Sequence, residues 1–309
     1  MLLIGGVAVA AGGAGTAWLL RDRELPAVPA SLVLATGPAG AVFREVGGDL
    51  ARAIHARSPR TAVRVLTTAA TVENLALLAG ARADLGFGAI DAVVSDPRAR
   101  AGTIGTICRL YDSFLHLVVL DGSPIRSLRD LAGKRVALGA AGSGTEFTAT
   151  TLLTATGVRP GQQPRLGQDP AMAAVGAGTV DAAFSLTGFP TPAITQLAQR
   201  RRIRMVPLGD YFRILDRAIP RVYGPAPIPE GAYPDVPATD TVYVPNVLLG
   251  RPGLTDDAVT LVIEAVLSPS SRQFWTHPDS RRFDVRAAIA TGPLDLHPAA
   301  LAWLRAQKP

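Results

Sequence analysis

Two stretches of the sequence share one layout: Leu77-Leu78-Ala79-Gly80-Ala81-Arg82-Ala83-Asp84-Leu85 and Ala174-Val175-Gly176-Ala177-Gly178-Thr179-Val180-Asp181-Ala182. Each stretch is typical of a helix that glycine ends, followed by a tight turn, an aspartate and the start of a buried strand. A single turn of this kind is common in proteins. The same order of features twice in one chain indicates two similarly built lobes.

Around these stretches, short apolar runs alternate with amphipathic segments, as in a mainly parallel sheet flanked by helices. The predicted strands are residues 31–36, 62–67, 84–88, 115–120, 135–139, 180–186, 202–207 and 241–249. The predicted helices are residues 42–56, 71–78, 127–131, 145–155, 171–177, 192–199, 255–267 and 297–306. Residues 223–237 are rich in proline and glycine, so we predict a loop there.

The order of these elements predicts how the chain is divided. A chain that leaves its first lobe and later returns needs two crossing strands, and residues 115–120 and 240–244 are the candidates. We expect lobe 1 to contain residues 31–118 and 240–309, and lobe 2 to contain residues 119–239. The predicted fold class is α/β, with two lobes of mainly parallel sheet flanked by helices and joined by two hinge strands.

Composition excludes several classes of function. The chain has 309 residues, of which 48% are hydrophobic, enough for two domains with real cores. Its formal charge of +6 comes from scattered arginines, and 6% of its residues are aromatic, so it lacks the basic, aromatic-rich surface of a nucleic-acid-binding protein. Cys108 is the one cysteine, so we expect it in the core, with no disulfide and no paired-thiol metal site.

The first thirty residues indicate export. Residues 2–20 carry no charge and are long enough to cross a bilayer. Leading basic residues are missing, while Trp18 and Arg21 occupy positions suited to an interfacial anchor. Glycine and alanine dominate the first fifteen positions, as in many export signals. Residues 1–30 are therefore a cleaved signal or an uncleaved anchor plus a linker, and either choice makes the remainder extracytoplasmic, in the periplasm or on the outer face of the cell membrane.

Four places in the sequence combine a strand, a loop of small residues and a helix start. They are residues 36–41, 67–71, 140–145 and 187–192. Ligands of open α/β sheets bind at the carboxyl ends of strands, and helix N-termini attract anions. Because two of these loops fall in each lobe, the sequence predicts an anion-binding site held from both sides.

Searches for catalytic and metal motifs find none. The sequence Gly142-Ser143-Gly144 lacks the spacing of a hydrolase elbow, and no glycine loop leads to Gly-Lys-Ser/Thr. The four histidines are far apart and lack zinc-type spacing, and His116 is typical of a satisfied strand histidine. We predict no cofactor and no enzyme activity. A hydrolase that uses Ser143 is an alternative that would need a nearby base.

The loops and their neighbours resemble the TAXI-type solute-binding subunits of tripartite ATP-independent periplasmic (TRAP) transporters. The resemblance is carried in order by residues 35–43, 71–78, 80–86, 110–111, 133–146, 181–184, 188–194 and 296–304. It covers residues 32–305, and each piece alone is loose, whereas their order and spacing are fairly specific. It implies a type II periplasmic-binding-protein fold that closes on a small organic acid or amino-acid-like ligand and docks on a TRAP-type membrane permease.

The chain departs from the family pattern at two places. Val42 and Phe43 stand where family members usually carry tyrosine or another aromatic residue. Ala89 and Ile90 replace a polar glutamine–serine pair before Asp91. Family ligands such as glutamate would therefore meet fewer polar partners here, which favours a less polar carboxylate.

The loops and the resemblance together define our hypothesis for the site. Residues 37–43 and 68–74 form one wall, residues 143–145 and 188–191 form the other, and Tyr111 lies on the floor. The predicted ligand-binding residues are Gly37, Gly40, Val42, Phe43, Thr68, Thr71, Asn74, Asp91, Tyr111, Ser143, Gly144, Thr145, Gly188, Phe189, Pro190 and Thr191. An alternative role for the same fold is a membrane-tethered ligand sensor or accessory protein.

Overall fold

The computed structural model describes residues 28–100 and 103–307. The strands are β1 (Ser31–Ala35), β2 (Ala62–Leu66), β3 (Leu85–Ala89), β4 (Gly105–Leu120), β5 (Val136–Ala137), β6 (Ala182–Thr187), β7 (Ile203–Met205), β8 (Gly224–Ile228) and β9 (Thr239–Gly250). The helices are α1 (Val42–Arg57), α2 (Thr71–Ala79), α3 (Ile90–Ser95), α4 (Pro97–Arg100), α5 (Gly144–Thr156), α6 (Gln168–Ala177), α7 (Pro192–Arg200), α8 (Phe212–Ala218), α9 (Asp256–Leu267), α10 (Val285–Ala288) and α11 (Pro298–Ala306).

The predicted signal or anchor, residues 2–20, lies outside the described part of the chain. In the part that is described, no helix combines the length and the hydropathy that crossing a bilayer requires.

The sheet runs in the order β2-β1-β3-β9-β4-β6-β5, with β7 added to β4 and β8 added to β9. In the predicted division of the chain, strands β1, β2 and β3 fall in lobe 1, and β5, β6, β7 and β8 fall in lobe 2. The two long central strands, β4 and β9, are antiparallel to each other and take part in both lobes. They are therefore the two strands that join the lobes.

The strand pairing favours a crossing that is shifted from the predicted residues 115–120 and 240–244. Residues 114–118 of β4 already pair with β6, and residues 239–243 of β9 pair with β8. Only residues 246–250 of β9 pair with β3 of lobe 1. We therefore propose that the chain passes between the lobes near residues 109–114 of β4 and 243–247 of β9, where the β4–β9 register shifts between Arg109 and Asp112.

The sheet is mixed rather than mainly parallel. Parallel pairing is found between β1 and β2, β1 and β3, and β5 and β6, which are the strands that helices connect. Each crossing strand pairs antiparallel with its neighbours, β9 with β3, β4 with β6, and β4 with β9.

The repeated turns found in the sequence have the same backbone hydrogen bonds. Arg82 N donates to Leu77 O at 2.8 Å, and Thr179 N donates to Ala174 O at 3.0 Å. The aspartate of each turn accepts a backbone hydrogen bond, Asp84 from Val33 N in β1 and Asp181 from Arg135 N just before β5, both at 2.8 Å. The two lobes therefore share one local construction.

One segment predicted to be a loop contains a strand. Residues 224–228 form β8, which pairs only with β9 and lies at the edge of the sheet. Pro225 and Pro227 led to the prediction of a loop, because proline has no backbone N–H to donate. An edge strand tolerates proline at positions that face away from the sheet, where no N–H is needed for pairing.

Helices cover both faces of the sheet. In lobe 1, α1 and α9 bury an apolar core on one face, and α2 and α3 pack on the other. In lobe 2, α6 and α7 cover one face, and α5 and α8 cover the opposite one. Cys108 is fully buried in the lobe 1 core, as predicted, and its burial raises the pKa of the thiol to about 12.

Candidate ligand-binding cleft

A cleft lies between the lobes at the carboxyl ends of β1, β3, β5 and β6. Its empty space is about 620 Å³ when the open mouth is included. Seven predicted contact residues line it: Val42, Phe43, Thr71, Tyr111, Ser143, Gly144 and Thr145. The remaining lining residues are Pro38, Ala41, Ala69, Ala70, Ala89, Ser113, Gly139, Ala140, Leu166, Gly167, Gln168, Phe184, Ser185, Leu186, Thr187 and Asn246.

Four helices begin at this cleft. Helices α1 and α2 of lobe 1 and helices α5 and α6 of lobe 2 each contribute first-turn residues to its lining. The first N–H groups of a helix lack partners inside the helix, and the N-terminal end carries about half a positive charge. The backbone of both lobes therefore points partial positive charge toward the cleft, while each helix also carries an acidic first-turn residue that does not line the cleft, namely Glu45, Glu73, Glu146 and Asp169.

Three hydroxyl groups reinforce this polarity. Thr71 Oγ1 accepts a hydrogen bond from Ala89 N at 3.1 Å, and Thr145 Oγ1 accepts one from Leu186 N at 3.0 Å. Ser143 Oγ caps α5 by accepting from Glu146 N at 3.1 Å. Because each of these oxygens acts as an acceptor in these bonds, its own proton is left to donate to a ligand.

The rest of the lining is apolar or aromatic. The rings of Phe43 and Tyr111 lie 6.2 Å apart edge to face, and the Phe43 ring lies 5.3 Å from that of Phe87. Burial raises the pKa of the Tyr111 hydroxyl well above its ordinary value, so this group stays protonated. Among the lining residues, all of which lie in the described part of the chain, there is no aspartate, glutamate, lysine, arginine or histidine.

Asn246 is the most unusual lining residue. Its side chain is fully buried, and its Nδ2 donates to Tyr111 O at 3.0 Å and to Ser113 Oγ at 2.8 Å. Its Oδ1 is buried and has no hydrogen-bond partner. A flipped amide would set Oδ1 against the Tyr111 carbonyl, which can only accept, so these contacts fix the orientation of the side chain.

Thr68 and Asn74, both predicted contacts, lie outside the cleft lining. Thr68 Oγ1 donates to Asn74 Oδ1 at 2.7 Å, and Asn74 Nδ2 donates to Thr36 O at 2.7 Å and to Phe87 O at 2.9 Å. This buried network ties the ends of β1 and β3 to α2. Both residues hold the wall of the cleft in place.

Gly37 and Gly40 also lie behind the lining. The carbonyl of Gly37 accepts a hydrogen bond from Thr68 N at 3.4 Å. Gly40 has a φ of +74°, and a Cβ there would lie 3.0 Å from the Asp169 carboxylate of lobe 2. These glycines shape the loop before α1 and its approach to the opposite lobe.

Asp91 lies in a buried contact between the lobes. It is on α3 of lobe 1, and its Oδ2 accepts hydrogen bonds from Thr148 Oγ1 at 2.5 Å and Tyr223 OH at 3.1 Å, both of lobe 2. Burial raises the pKa of this carboxyl to about 6, against the opposite effect of the hydrogen bonds from Thr148, Ala92 N and Tyr223. Asp91 therefore joins the lobes behind the cleft.

The predicted wall at residues 188–191 forms a second contact between the lobes. The loop meets the segment at His277 and Asp279 of lobe 1, where His277 Nε2 donates to Pro190 O at 3.3 Å. A Cβ on Gly188 would lie 2.0 Å from Asp279 Oδ2, so only glycine fits there. Phe189 instead stacks edge to face with Phe114 at 4.7 Å, and Thr191 Oγ1 donates to Gly188 O at 2.6 Å.

Three parts of the cleft lining were not among the predicted contacts: the start of α6, Ser185 and Asn246. Gly167-Gln168 has the same glycine-then-helix pattern as the other loops, and Gln168 Nε2 donates to Ser185 Oγ at 3.1 Å. Asn246 could also have been recognised from the sequence, because it interrupts the apolar run of residues 242–249. A lone amide in a buried strand calls for hydrogen-bond partners.

No base accompanies Ser143 in the lining, which contains neither histidine nor carboxylate. His116 lies buried in β4, where Nδ1–H donates to Phe114 O at 2.8 Å and Nε2 accepts from Tyr233 OH at 3.0 Å. Burial lowers the pKa of this imidazole to about 4. Residues 28–100 and 103–307 contain no cluster of three or more histidine, cysteine or acidic side chains able to hold a metal ion.

Comparisons with known proteins agree with this architecture. The model of the NMT1-like family matches residues 34–307. The structure of XAC2383 from Xanthomonas citri bound to ATP is 15% identical, with a TM-score of 0.51 over 90% of this chain and 95% of that one. The alkanesulfonate-binding protein SsuA from Xanthomonas axonopodis pv. citri bound to MOPS is 18% identical, with a TM-score of 0.47 over 91% of both chains. An ancestral arginine-binding protein bound to arginine is 16% identical, with a TM-score of 0.49 over 77% of this chain and 91% of that one. The fold is α/β with a curled mixed sheet, and the likeness to XAC2383 shows that this fold is shared with a solved structure.

Proposed function

The chain belongs to the NMT1-like family, and we propose that it is an extracytoplasmic solute-binding protein that traps a small solute between its lobes. The observation that carries the proposal is the arrangement of helices α1, α2, α5 and α6, two from each lobe, which all begin at one cleft. Such a site binds its ligand from both sides, so binding favours closure of the lobes about the crossing strands. Trapping needs no catalytic group.

We further propose that the solute bears a carboxylate and that the loaded protein delivers it to a membrane permease of the TRAP type. The helix N-termini and the hydroxyls of Thr71, Ser143 and Thr145 support an anionic group in the cleft. The ordered motifs that resemble TAXI-type subunits support the choice of permease. This role requires export, and the uncharged run of residues 2–20 before Arg21 is suited to it.

A binding experiment tests the function. The purified full-length chain is screened by thermal shift against organic acids and amino acids, and a ligand at 100 times its Kd should raise the free energy of unfolding by about 2.7 kcal/mol.

In the Ser143→Ala/Thr145→Val variant we expect weaker binding, by about 1 kcal/mol for each lost buried hydrogen bond, measured by calorimetry. Thr151→Val on the same helix is the control, because its hydroxyl donates to Phe147 O within α5. Equal affinity in the double variant and the control contradicts this site.

A transport assay separates delivery from sensing. The loaded chain is added to membrane vesicles that contain a candidate permease, and uptake of labelled solute is followed without ATP. Uptake that depends on the chain and persists without ATP is expected for a TRAP-type permease. A chain that binds its solute tightly but never raises uptake supports the alternative role of a membrane-tethered sensor.

A further inference from the structure

The charge and hydrogen-bonding pattern of the cleft restricts the chemistry of its ligand. Resting on the proposed function, we infer that the ligand is a small, singly charged anion that carries an uncharged hydrogen-bond donor on an otherwise apolar body. Its anionic group binds at the helix N-termini, and its donor binds Asn246 Oδ1.

The charge of the lining limits which ligands the cleft can bind. No acidic or basic side chain lines the cleft, so a ligand ammonium group has no carboxylate to pair with and would face the positive ends of four helices. This disfavours α-amino acids. A single anionic group finds backbone N–H groups and the hydroxyls of Thr71, Ser143 and Thr145, whereas a second one has no arginine or lysine to bind it.

Asn246 places a second constraint on the ligand. The chain has two asparagines, Asn74 and Asn246, and both are fully buried. The amide of Asn74 is paired at both its oxygen and its nitrogen. The amide of Asn246 uses its nitrogen twice and leaves Oδ1 without a partner on a residue that lines the cleft.

A buried acceptor without a partner loses the hydrogen bonds that water gives it in the unfolded chain. A ligand that donates to Oδ1 restores that bond, whereas a ligand that presents an acceptor there is repelled. A hydroxyl or an amide N–H fits this position without bringing a positive charge. The remaining surface, with Val42, Phe43, Ala89 and Leu186, suits an apolar body.

Ligand probes with one carbon skeleton test this inference. The set is 2-hydroxy-3-methylbutanoate, 2-oxo-3-methylbutanoate, 3-methylbutanoate, valine and the neutral 2-hydroxy-3-methylbutanamide, with matching sets of three and six carbons, measured by calorimetry on the full chain. We expect the hydroxy acid of at least one skeleton to bind about tenfold or more tightly than its oxo, unsubstituted, amino and amide counterparts. Equal or tighter binding of the oxo acid or the amino acid contradicts the inferred hydrogen-bond donor on the ligand. Equal binding of the amide contradicts the inferred anionic group.

The Asn246→Ala variant tests the assignment to Oδ1. We expect the preference for the hydroxy acid over the oxo acid to fall to within about twofold, because the acceptor that distinguishes them is gone. This ratio is measured within one protein, so a general loss of stability does not alter it. A preference that persists unchanged in the folded variant overturns the assignment, and if the variant does not fold, the ranking of the probes in the natural chain still decides the inference.

The outcomes also separate this inference from the proposed function. If amino acids, oxo acids or dicarboxylates bind and the hydroxy acids do not, the chain is a solute-binding protein and only the inference is wrong. If no solute of any class binds, both fail.

Discussion

Gly139 precedes the cleft loop with a φ of +99°, and a Cβ there would lie 2.6 Å from Thr145 Cβ and 2.9 Å from Ser143 Oγ. In Gly139→Ala we expect a loss of about 2 kcal/mol or more in the free energy of unfolding. We also expect weaker ligand binding, because the two hydroxyls that face the cleft must move. Urea unfolding and calorimetry measure the two effects.

Gly142 is the matched control for this change. Its φ of +75° is also in the positive range that disfavours alanine, but a Cβ there meets nothing within 4 Å. Gly142→Ala should therefore cost about 1 kcal/mol of backbone strain and leave ligand affinity unchanged. Equal losses of affinity in the two variants would show that strain, rather than displacement of Ser143 and Thr145, explains the effect.

Asp91 predicts a pH dependence of stability. Its pKa rises from an ordinary value of 3.8 to about 6 on folding, so the native state holds a proton that the unfolded chain releases. The stabilisation is present below about pH 4 and is lost as the pH rises through 6. Between pH 4.5 and 7 the natural chain should lose about 2 kcal/mol relative to Asp91→Asn, measured by urea unfolding at both values.

The comparison with Asp91→Asn is needed because other buried groups titrate in the same window. Burial raises the pKa of Asp279 to about 6, which gives a pH dependence of the same sign. His116, with its pKa lowered to about 4, gives the opposite sign, since the unfolded chain binds the proton first. Both groups are present in the natural chain and in the variant, so their effects cancel in the difference. A difference that does not change with pH would contradict the role assigned to Asp91.

At the scale of elements, local signals predicted most helix starts. The starts of α1, α2 and α9 match the predicted ones within a residue, because small loop residues, caps and apolar spacing act over one turn. Thr255, for example, caps α9 by accepting from Ala258 N at 3.3 Å. The glycine-ended turns before β3 and β6 were recognisable for the same reason.

Elements that depend on distant pairing were not recognisable. The first half of β4 lacks a regular alternation of apolar residues, and its register against β9 shifts twice, between Thr106 and Cys108 and between Arg109 and Asp112. Similarly, much of the cleft lining could be predicted from loops, but Asn246 and Ser185 lie within strands. Which strand residues face the cleft depends on how the two lobes come together, which no local pattern encodes.

For the whole molecule, the bond between Thr148 and Asp91 should favour the closed arrangement of the lobes. In Thr148→Val, Asp91 loses its shortest hydrogen bond to lobe 2. We expect a larger radius of gyration by X-ray scattering without ligand, and an affinity lower by about fivefold to tenfold, since closure then costs more. Thr151→Val again serves as the control on α5, and a Thr148→Val chain as compact and as tight-binding as this control would contradict the role of the contact.

Strand β8 has a consequence for how copies of the protein meet. Because proline cannot donate to β9, the N–H groups that point inward must be those of Gly224, Ala226 and Ile228, and the outward positions fall on Pro225 and Pro227. The outer margin of the sheet thus offers carbonyl oxygens but no amide protons along these two positions. A strand from a neighbouring molecule therefore cannot form a regular series of backbone hydrogen bonds with β8, so this margin resists edge-to-edge association between copies.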